Sequence, residues 1–254
     1  MLKIKSIIPS FIKYPLWWVG KSPQRKFGMF TLWNDLSALF SFCFYSIFKI
    51  KKLHRISICV GVYNRSDLFL NHFIESLNNV KYPELIELSV FDCGSDDVSI
   101  LETEIKNKWK GELKFVSQPI KFSRAFSFNK AVEQSTAEII FICDADMSLP
   151  ENIVSICNHF TSPKNVWYPI VFYLPKDKNE IGHWMQYGGK GMLACYKSEF
   201  IKVGKLNETY TEWGREDDEL WERFMKSGYH IIRNRQIGLN HNWHESFNPK
   251  YKLL

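Results

Sequence analysis

From residue 56 onward, short apolar runs rich in β-branched residues alternate with amphipathic stretches, and several runs close on polar clusters. "ISICVGV" (56–62) is a continuous run, which predicts a buried strand. Ser66 or Asp67 can cap a following helix whose stripe is Leu70, Phe73, Ile74 and Leu77. "LIELSVFD" (85–92) predicts a second strand, ending in "CGSDD". A charged helix to about residue 110 follows, then a strand at 113–119, a helix near 124–135 and the strand "EIIFICDAD" (138–146), with Pro150 opening the next helix. Strand–helix alternation with short links predicts an α/β domain whose sheet is mostly parallel and flanked by helices. Such sheets bind ligands at the carboxyl ends of their strands. "YNR", "VFDCGSDD" and "DAD" all fall there, so they converge despite their separation in sequence.

"FICDADMSLP" (141–150) ends an apolar strand with two carboxylates one residue apart. In extended chain, residues i and i+2 point the same way, so Asp144 and Asp146 are placed to face one cation. Carboxylate oxygens suit Mg2+ or Mn2+, which in turn hold phosphate oxygens. The plainer reading is a capped turn. In "NHNWHESF" (240–247), His241 and His244 offer imidazole nitrogen, which favours Mn2+; alone they read as loop histidines. The glycine pair in "QYGGKGMLACY" allows close backbone approach to a ligand, or makes a plain turn.

"TEWGREDDELWERF" (211–224) crowds four acids between two tryptophans. On a helix over 214–227, at about 100° per residue, Asp217 falls in the middle of the face formed by Leu220, Trp221 and Phe224. Glu216 and Asp218 flank it, and Glu219 points to solvent. A carboxylate raised by burial and lowered by a helix N-terminus suits a general base. Complementing the helix dipole accounts for one or two such acids, but not for the inward one.

Apolar residues make up 45% of the 254 and aromatics 16%, enough for a large core. The net charge of +6 is uneven. Residues 1–55 hold ten Lys/Arg and one acid, Asp35, giving +9 and leaving −3 for the rest. A basic, aromatic N-terminal segment on an acidic body points to an anionic membrane surface and away from nucleic acid. "LSALFSFCFYSIF" (36–48) is short for a bilayer span. With "YPLWWVG" (14–20) before it and "KIKK" (49–52) after it, the segment reads as an interfacial anchor, or else as an apolar flap on the catalytic domain. The boundary falls near residue 55. Six cysteines without CxxC spacing fit a reducing cytosol. Together these place the protein in the cytoplasm, peripheral on the inner face of the cytoplasmic membrane.

"ISICVGVYNR", "VFDCGSDD" and "FICDAD" resemble the nucleotide-binding half of family 2 GT-A glycosyltransferases. "YGGKGMLACYKSEFIKVGKLNETYTEWGREDDELWERFMKSGYHIIRN" resembles the galactosyltransferase-type module of β-1,4-galactosyltransferases, polypeptide GalNAc-transferases and bacterial chondroitin polymerase. "FSRAFSFNKAV" (122–132) resembles a further galactosyltransferase segment. The resemblance spans about residues 56–247 and implies a GT-A, Rossmann-like domain. It puts Tyr63, Asn64 and Asp92 near uridine and Arg124 at the nucleotide or diphosphate. It makes Asp146 a metal ligand, with Asp144 near the ribose and metal. Gly189 and Trp213 would line the sugar site, Glu216 would hold a sugar hydroxyl, and Asp217 would be the base. His241 or His244 would complete the metal site. Two departures stand out: Cys93 replaces the second acid of "DDGS", and Arg215 the second glycine of "WGGED".

The resulting expectation is inverting transfer from a UDP-sugar, with Gal or GalNAc as the sugar, to a glycan or lipid-linked oligosaccharide in surface polysaccharide synthesis. Two rivals are a metal-dependent nucleotidyltransferase and a catalytically inactive partner subunit. The first lacks a reason for the acidic helix; the second is opposed by intact Asp144, Asp146 and Asp217.

Overall fold

The computed structural model describes residues 29–48, 52–177, 179–185, 189–210 and 215–245. In chain order these give helix α1 (Met29–Phe48), strand β1 (Ile56–Val62) and helix α2, built from Ser66–Leu68, a wider π-helical Phe69–Ile74 and Glu75–Leu77. Then come β2 (Ile86–Asp92), α3 (Val98–Lys108), β3 (Glu112–Ser117), α4 (Arg124–Gln134), β4 (Ile139–Ile142), β5 (Met147–Ser148) and α5 (Ile153–Phe160). The second half adds β6 (Asn165–Trp167), β7 (Ile170–Tyr173), β8 (His183–Trp184), β9 (Leu193–Tyr196), α6 (Lys197–Lys202), α7 (Glu216–Lys226), β10 (His230–Ile232) and β11 (Arg235–His241).

The main sheet has seven strands in the order β10-β6-β9-β4-β1-β2-β3. All its neighbours are parallel except β9, which runs antiparallel to β4 and to β6. The period-2 alternation of strands sorts the core into two layers. Ile58, Val60, Leu88, Val90 and Phe141 pack with α2, α3 and α5. Cys59, Phe91, Ile140 and Ile142 pack with α4 and α7, against Phe128, Leu220 and Phe224. This is the expected mixed, mostly parallel sheet between helices.

A second sheet, β5-β11-β7-β8, brings the distant "NHNWHE" segment to the first half of the chain. β5 follows the DAD acids directly and pairs antiparallel with the end of β11, setting His241 opposite Met147. The strand expected over 138–146 therefore stops at Ile142 and the chain turns before β5. The helix expected at Pro150 begins at Ile153, whose N–H is bonded to the Pro150 carbonyl.

Helix α1 lies on α5. Ala38 is buried beneath it. Phe42 stacks on Phe160 at 6.4 Å and meets His159 edge-on at 5.6 Å. The Asp35 carboxylate accepts the Arg235 N–H at 2.8 Å and also pairs with its guanidinium. No described helix is long and apolar enough to cross a membrane. The "YPLWWVG" stretch, and "KIKK" apart from Lys52, lie outside the described residues.

Candidate active site

Three polar groups meet at the carboxyl ends of β1, β2 and β4. The first is built on Asp146. Its Oδ2 lies 2.9 Å from His244 Nε2 and 3.6 Å from His241 Nε2. Asn242 fixes the turn, donating both its backbone N–H and its side-chain amide to the Asp146 carbonyl. Tyr173, opposite His241 in the β7–β11 pairing, stacks on its ring at 4.1 Å and 12°. Burial pushes the Asp146 carboxyl up, but His244, His241 and Arg65 outweigh it and hold the group below its ordinary value. Burial lowers His241, whereas the bond to Asp146 raises His244.

One donor atom each from Asp146, His241 and His244 falls within 4.8 Å of the others. Asp146 Oδ1 and His241 Nδ1 are buried with no hydrogen-bond partner. A buried carboxylate oxygen without a protein partner beside two imidazoles is an environment that suits a cation. One oxygen and two nitrogens make a mixed donor set that suits Mn2+ better than Mg2+. These residues therefore fit a divalent metal.

The second group centres on Arg124, the first residue of α4. Ser123 caps that helix by accepting the Phe126 N–H. The Arg124 guanidinium donates to Asp144 Oδ1 through Nη2 at 2.9 Å and Nε at 3.2 Å. It also donates to Glu216 Oε1 at 3.2 Å and to the Gly191 carbonyl at 2.7 Å. Beneath it lies the Phe128 ring at 4.6 Å. Burial opposes its charge, but Asp144, Glu216 and Asp217 together raise its pKa.

This arrangement revises two readings. Asp144 and Asp146 do not share one direction, because the chain leaves the strand at Ile142. Asp144 turns to Arg124, and Asp146 turns to the histidines. On α7, the helical projection centres Asp217, yet Glu216 is the buried acid, at 2% exposure. A projection gives angles, not depth. Side chains tilt toward the helix N-terminus, and Glu216 is the first helical residue. It reaches back to the Arg215 N–H at 2.9 Å and down to Arg124. Asp217 is half-buried. Burial and the nearby Glu216 raise its carboxyl above the ordinary value, although Arg124 pulls the other way. Glu219, expected in solvent, is partly buried in a two-point ion pair with Arg223.

The third group lies between β1 and β2. Asp92 is fully buried and accepts bonds from the backbone of Gly94 and Ser95 and from the Ser117 hydroxyl. Asn64 sits in the left-handed region at φ 48 and exchanges bonds with Asp96. Tyr63 stacks on Phe122 at 5.6 Å and 16°, both more than a third exposed. Cys93 is buried, which pushes its thiol up to about 11. Gly189 takes φ +63. Trp213 lies outside the described residues.

The model of one protein family, "CHGN: Chondroitin N-acetylgalactosaminyltransferase", matches residues 48–249. The chain belongs to this family. It is 28% identical over 221 residues to human (Homo sapiens) chondroitin sulfate synthase 3, covering 76% of this chain and 24% of that protein. It is 25% identical over 218 residues to mouse (Mus musculus) chondroitin sulfate N-acetylgalactosaminyltransferase 1, covering 75% and 41%. The chain thus spans well under half the length of these curated relatives. Among solved structures, a mannosyltransferase from Pyrobaculum calidifontis in complex with GDP-Man and Mn2+ superposes with a TM-score of 0.58 at 16% identity, covering 86% of this chain and 67% of that one. That likeness is one of fold, and the fold is that of GT-A glycosyltransferases. This CHGN chain is a glycosyltransferase domain.

The CHGN site includes residues to which the sequence reading gave no role of their own. Arg65 acts electrostatically on Asp146, and its guanidinium donates to the Glu245 carbonyl at 3.2 Å. Lys190 bonds Asp218 at 2.6 Å and lies over the Trp221 ring at 5.1 Å. Tyr173 and Asn242 carry no motif and act only through the second sheet. Gly191, in the glycine-rich stretch, is there for space. A Cβ on it would lie 2.4 Å from Arg124 Nη2. Gly191→Ala is therefore expected to displace the guanidinium. Thermal unfolding should drop by several degrees and kcat should fall with it. Wild-type behaviour on both counts would show that Arg124 tolerates displacement.

Proposed function

We propose that the chain transfers N-acetylgalactosamine from UDP-N-acetylgalactosamine to a hydroxyl of a glycan or lipid-linked acceptor, inverting the anomeric carbon. One observation carries this reading. A metal-fitting cluster (Asp146, His241, His244), and a half-buried acid with a raised pKa (Asp217) next to the Arg124-bound Glu216, lie at the carboxyl ends of the sheet. The family description supports the sugar. The acid following Glu216 is Asp, which favours inversion.

Asp217 takes the proton from the acceptor hydroxyl. Its raised pKa brings it closer to neutrality, where a general base works best. The acceptor oxygen bonds to the anomeric carbon as the bond from that carbon to the diphosphate oxygen breaks, and UDP leaves with the electron pair. Asp146, His241 and His244 would hold the divalent cation, while Asp144 stays on Arg124. A cation there supplies positive charge to offset the diphosphate. Glu216, fixed by Arg124 and the Arg215 N–H, is placed to hold a sugar hydroxyl. Tyr63 and Phe122 offer an aromatic face for the uracil ring.

Incubation with a panel of UDP-sugars, with UDP release scored against pyrophosphate release and the product linkage read by NMR, tests the proposal. Pyrophosphate, or a retained anomeric configuration, would sink it. Activity should require a divalent ion, with Mn2+ better than Mg2+. Asp146→Ala and His244→Ala should each weaken Mn2+ binding, measured by calorimetry, by at least about 10–100-fold, since even indirect partners of a metal cost that much. Undiminished binding in both variants would move the metal elsewhere.

A further inference from the structure

Among the described residues, helix α1 carries a second apolar face that is exposed. Asp35, Ala38 and Phe42 lie on one side and make the contacts with Arg235, α5 and Phe160. Leu36, Leu39, Phe40 and Ile47 follow at i, i+3, i+4 and i+11, a single stripe turned away from the inner side. Their exposures are 41, 57, 73 and 73%. A contiguous apolar stripe of this kind on a soluble domain marks an interaction surface.

Charge indicates what covers it. Residues 1–28 contain six Lys/Arg and no acid, and residues 49–55 contain four more and no acid. The one acid in the first 55 residues, Asp35, is neutralised by Arg235 on the inner side. In sequence the stripe is therefore flanked by cationic segments on both sides, and among the described residues of the helix it carries no exposed carboxylate. Two such segments meeting in a dimer would set like charges against each other. An anionic lipid surface offers both an apolar interior and negative headgroups.

We propose that the outer face of α1 seats the domain on an anionic membrane, with the helix lying in the interface plane. The Asp35–Arg235 clasp keeps the helix against the domain and so fixes the orientation. Arg235 opens β11, and His241 closes it. A seven-residue strand spans about 20 Å. The metal cluster thus stands at a set distance from the bilayer, within reach of an acceptor anchored there.

Sedimentation of the full chain with vesicles tests this. Phosphatidylcholine vesicles containing phosphatidylserine should bind the protein, phosphatidylcholine vesicles alone should bind it far less, and added salt should weaken the binding. Leu39→Ser/Phe40→Ser/Ile47→Ser should lower partitioning by at least about 10-fold, because each side chain loses the apolar transfer it gains in the bilayer. These residues are exposed, so the thermal midpoint and UDP release with a soluble acceptor should not change. Lys49→Gln/Lys51→Gln/Lys52→Gln should reduce the preference for the anionic vesicles, with the six cations of residues 1–28 still in place. Three results would each overturn the proposal: equal partitioning of wild type and the triple serine variant, no vesicle binding by wild type, or a wild-type dimer that the serine variant dissolves.

Discussion

Asp217→Asn is expected to lower kcat by about 10²–10⁴, the usual loss when a general base is removed. Asparagine keeps the size of the side chain, and its oxygen can still accept the Asp218 N–H that Asp217 accepts now at 2.9 Å. It cannot take the acceptor proton. Mn2+ and UDP affinity, read by calorimetry, should stay near wild type, because Asp146, His241, His244 and Arg124 are untouched. The pH profile supplies an independent signature. Burial and Glu216 raise the Asp217 carboxyl above 3.8. Wild-type kcat should therefore fall as pH drops through that raised value, and the variant should lose this acidic limb. Asp218→Asn is the control. Asp218 is exposed, and its pair with Lys190 is a surface one, worth about 0–1 kcal/mol. If Asp217→Asn keeps near-normal kcat, or Asp218→Asn proves as damaging, the base is another group.

The central strands of the sheet were legible because they bury both faces. In the run Ile56–Val62 the one hydroxyl, Ser57, is itself buried on Glu87 and does not break the pattern, and the boundaries match the structure to the residue. The approach of "YNR", "VFD" and "DAD" followed from parallel topology alone. What sequence could not supply was partnership across the fold. Nothing in the spacing of Asp144 and Asp146 says that one turns to Arg124 and the other to a histidine about a hundred residues later. That split arises because the two-residue β5 pairs with the far end of β11, a pairing that no sequence pattern announces. The same gap explains the α7 error. The projection weighed apolar neighbours on one helix, whereas Glu216 is buried by a cation from another. Tyr173 and Asn242 hold the metal cluster only through the second sheet, so no motif could have marked them. Trp213 remains an assignment by resemblance.

Arg124→Met should be the most destabilising single change at the site, and its signature is in the pH dependence. Glu216 and Asp144 both rely on this guanidinium, and Glu216 has almost no access to water. Removing one partner of a buried ion pair typically costs about 3–5 kcal/mol. For a domain of this size, each kcal/mol lowers the thermal midpoint by about 2–4 °C. In the wild type, burial raises Glu216, but Arg124 and the Arg215 N–H more than reverse this, so its folded pKa lies below 4.5. The unfolded chain then binds the proton more tightly. Glu216 contributes stability in full above pH 4.5 and loses it as pH falls through the folded value. Without Arg124 the burial remains and its main opponent is gone, so the folded pKa rises and the stability that Glu216 gains on ionising shrinks. Asp217 loses the same cation, which raises it further. The gap in thermal midpoint between wild type and Arg124→Met should therefore widen from about pH 4.5 to about pH 7. Arg124→Met/Glu216→Gln should recover part of the loss and flatten the slope, because a neutral amide replaces the stranded charge. Arg124→Lys should fall between, since a point charge cannot hold both carboxylates and the Gly191 carbonyl in one fork. A gap that stays constant with pH, or a double variant no more stable than Arg124→Met, would mean that the Arg124–Glu216 pair does not organise this site.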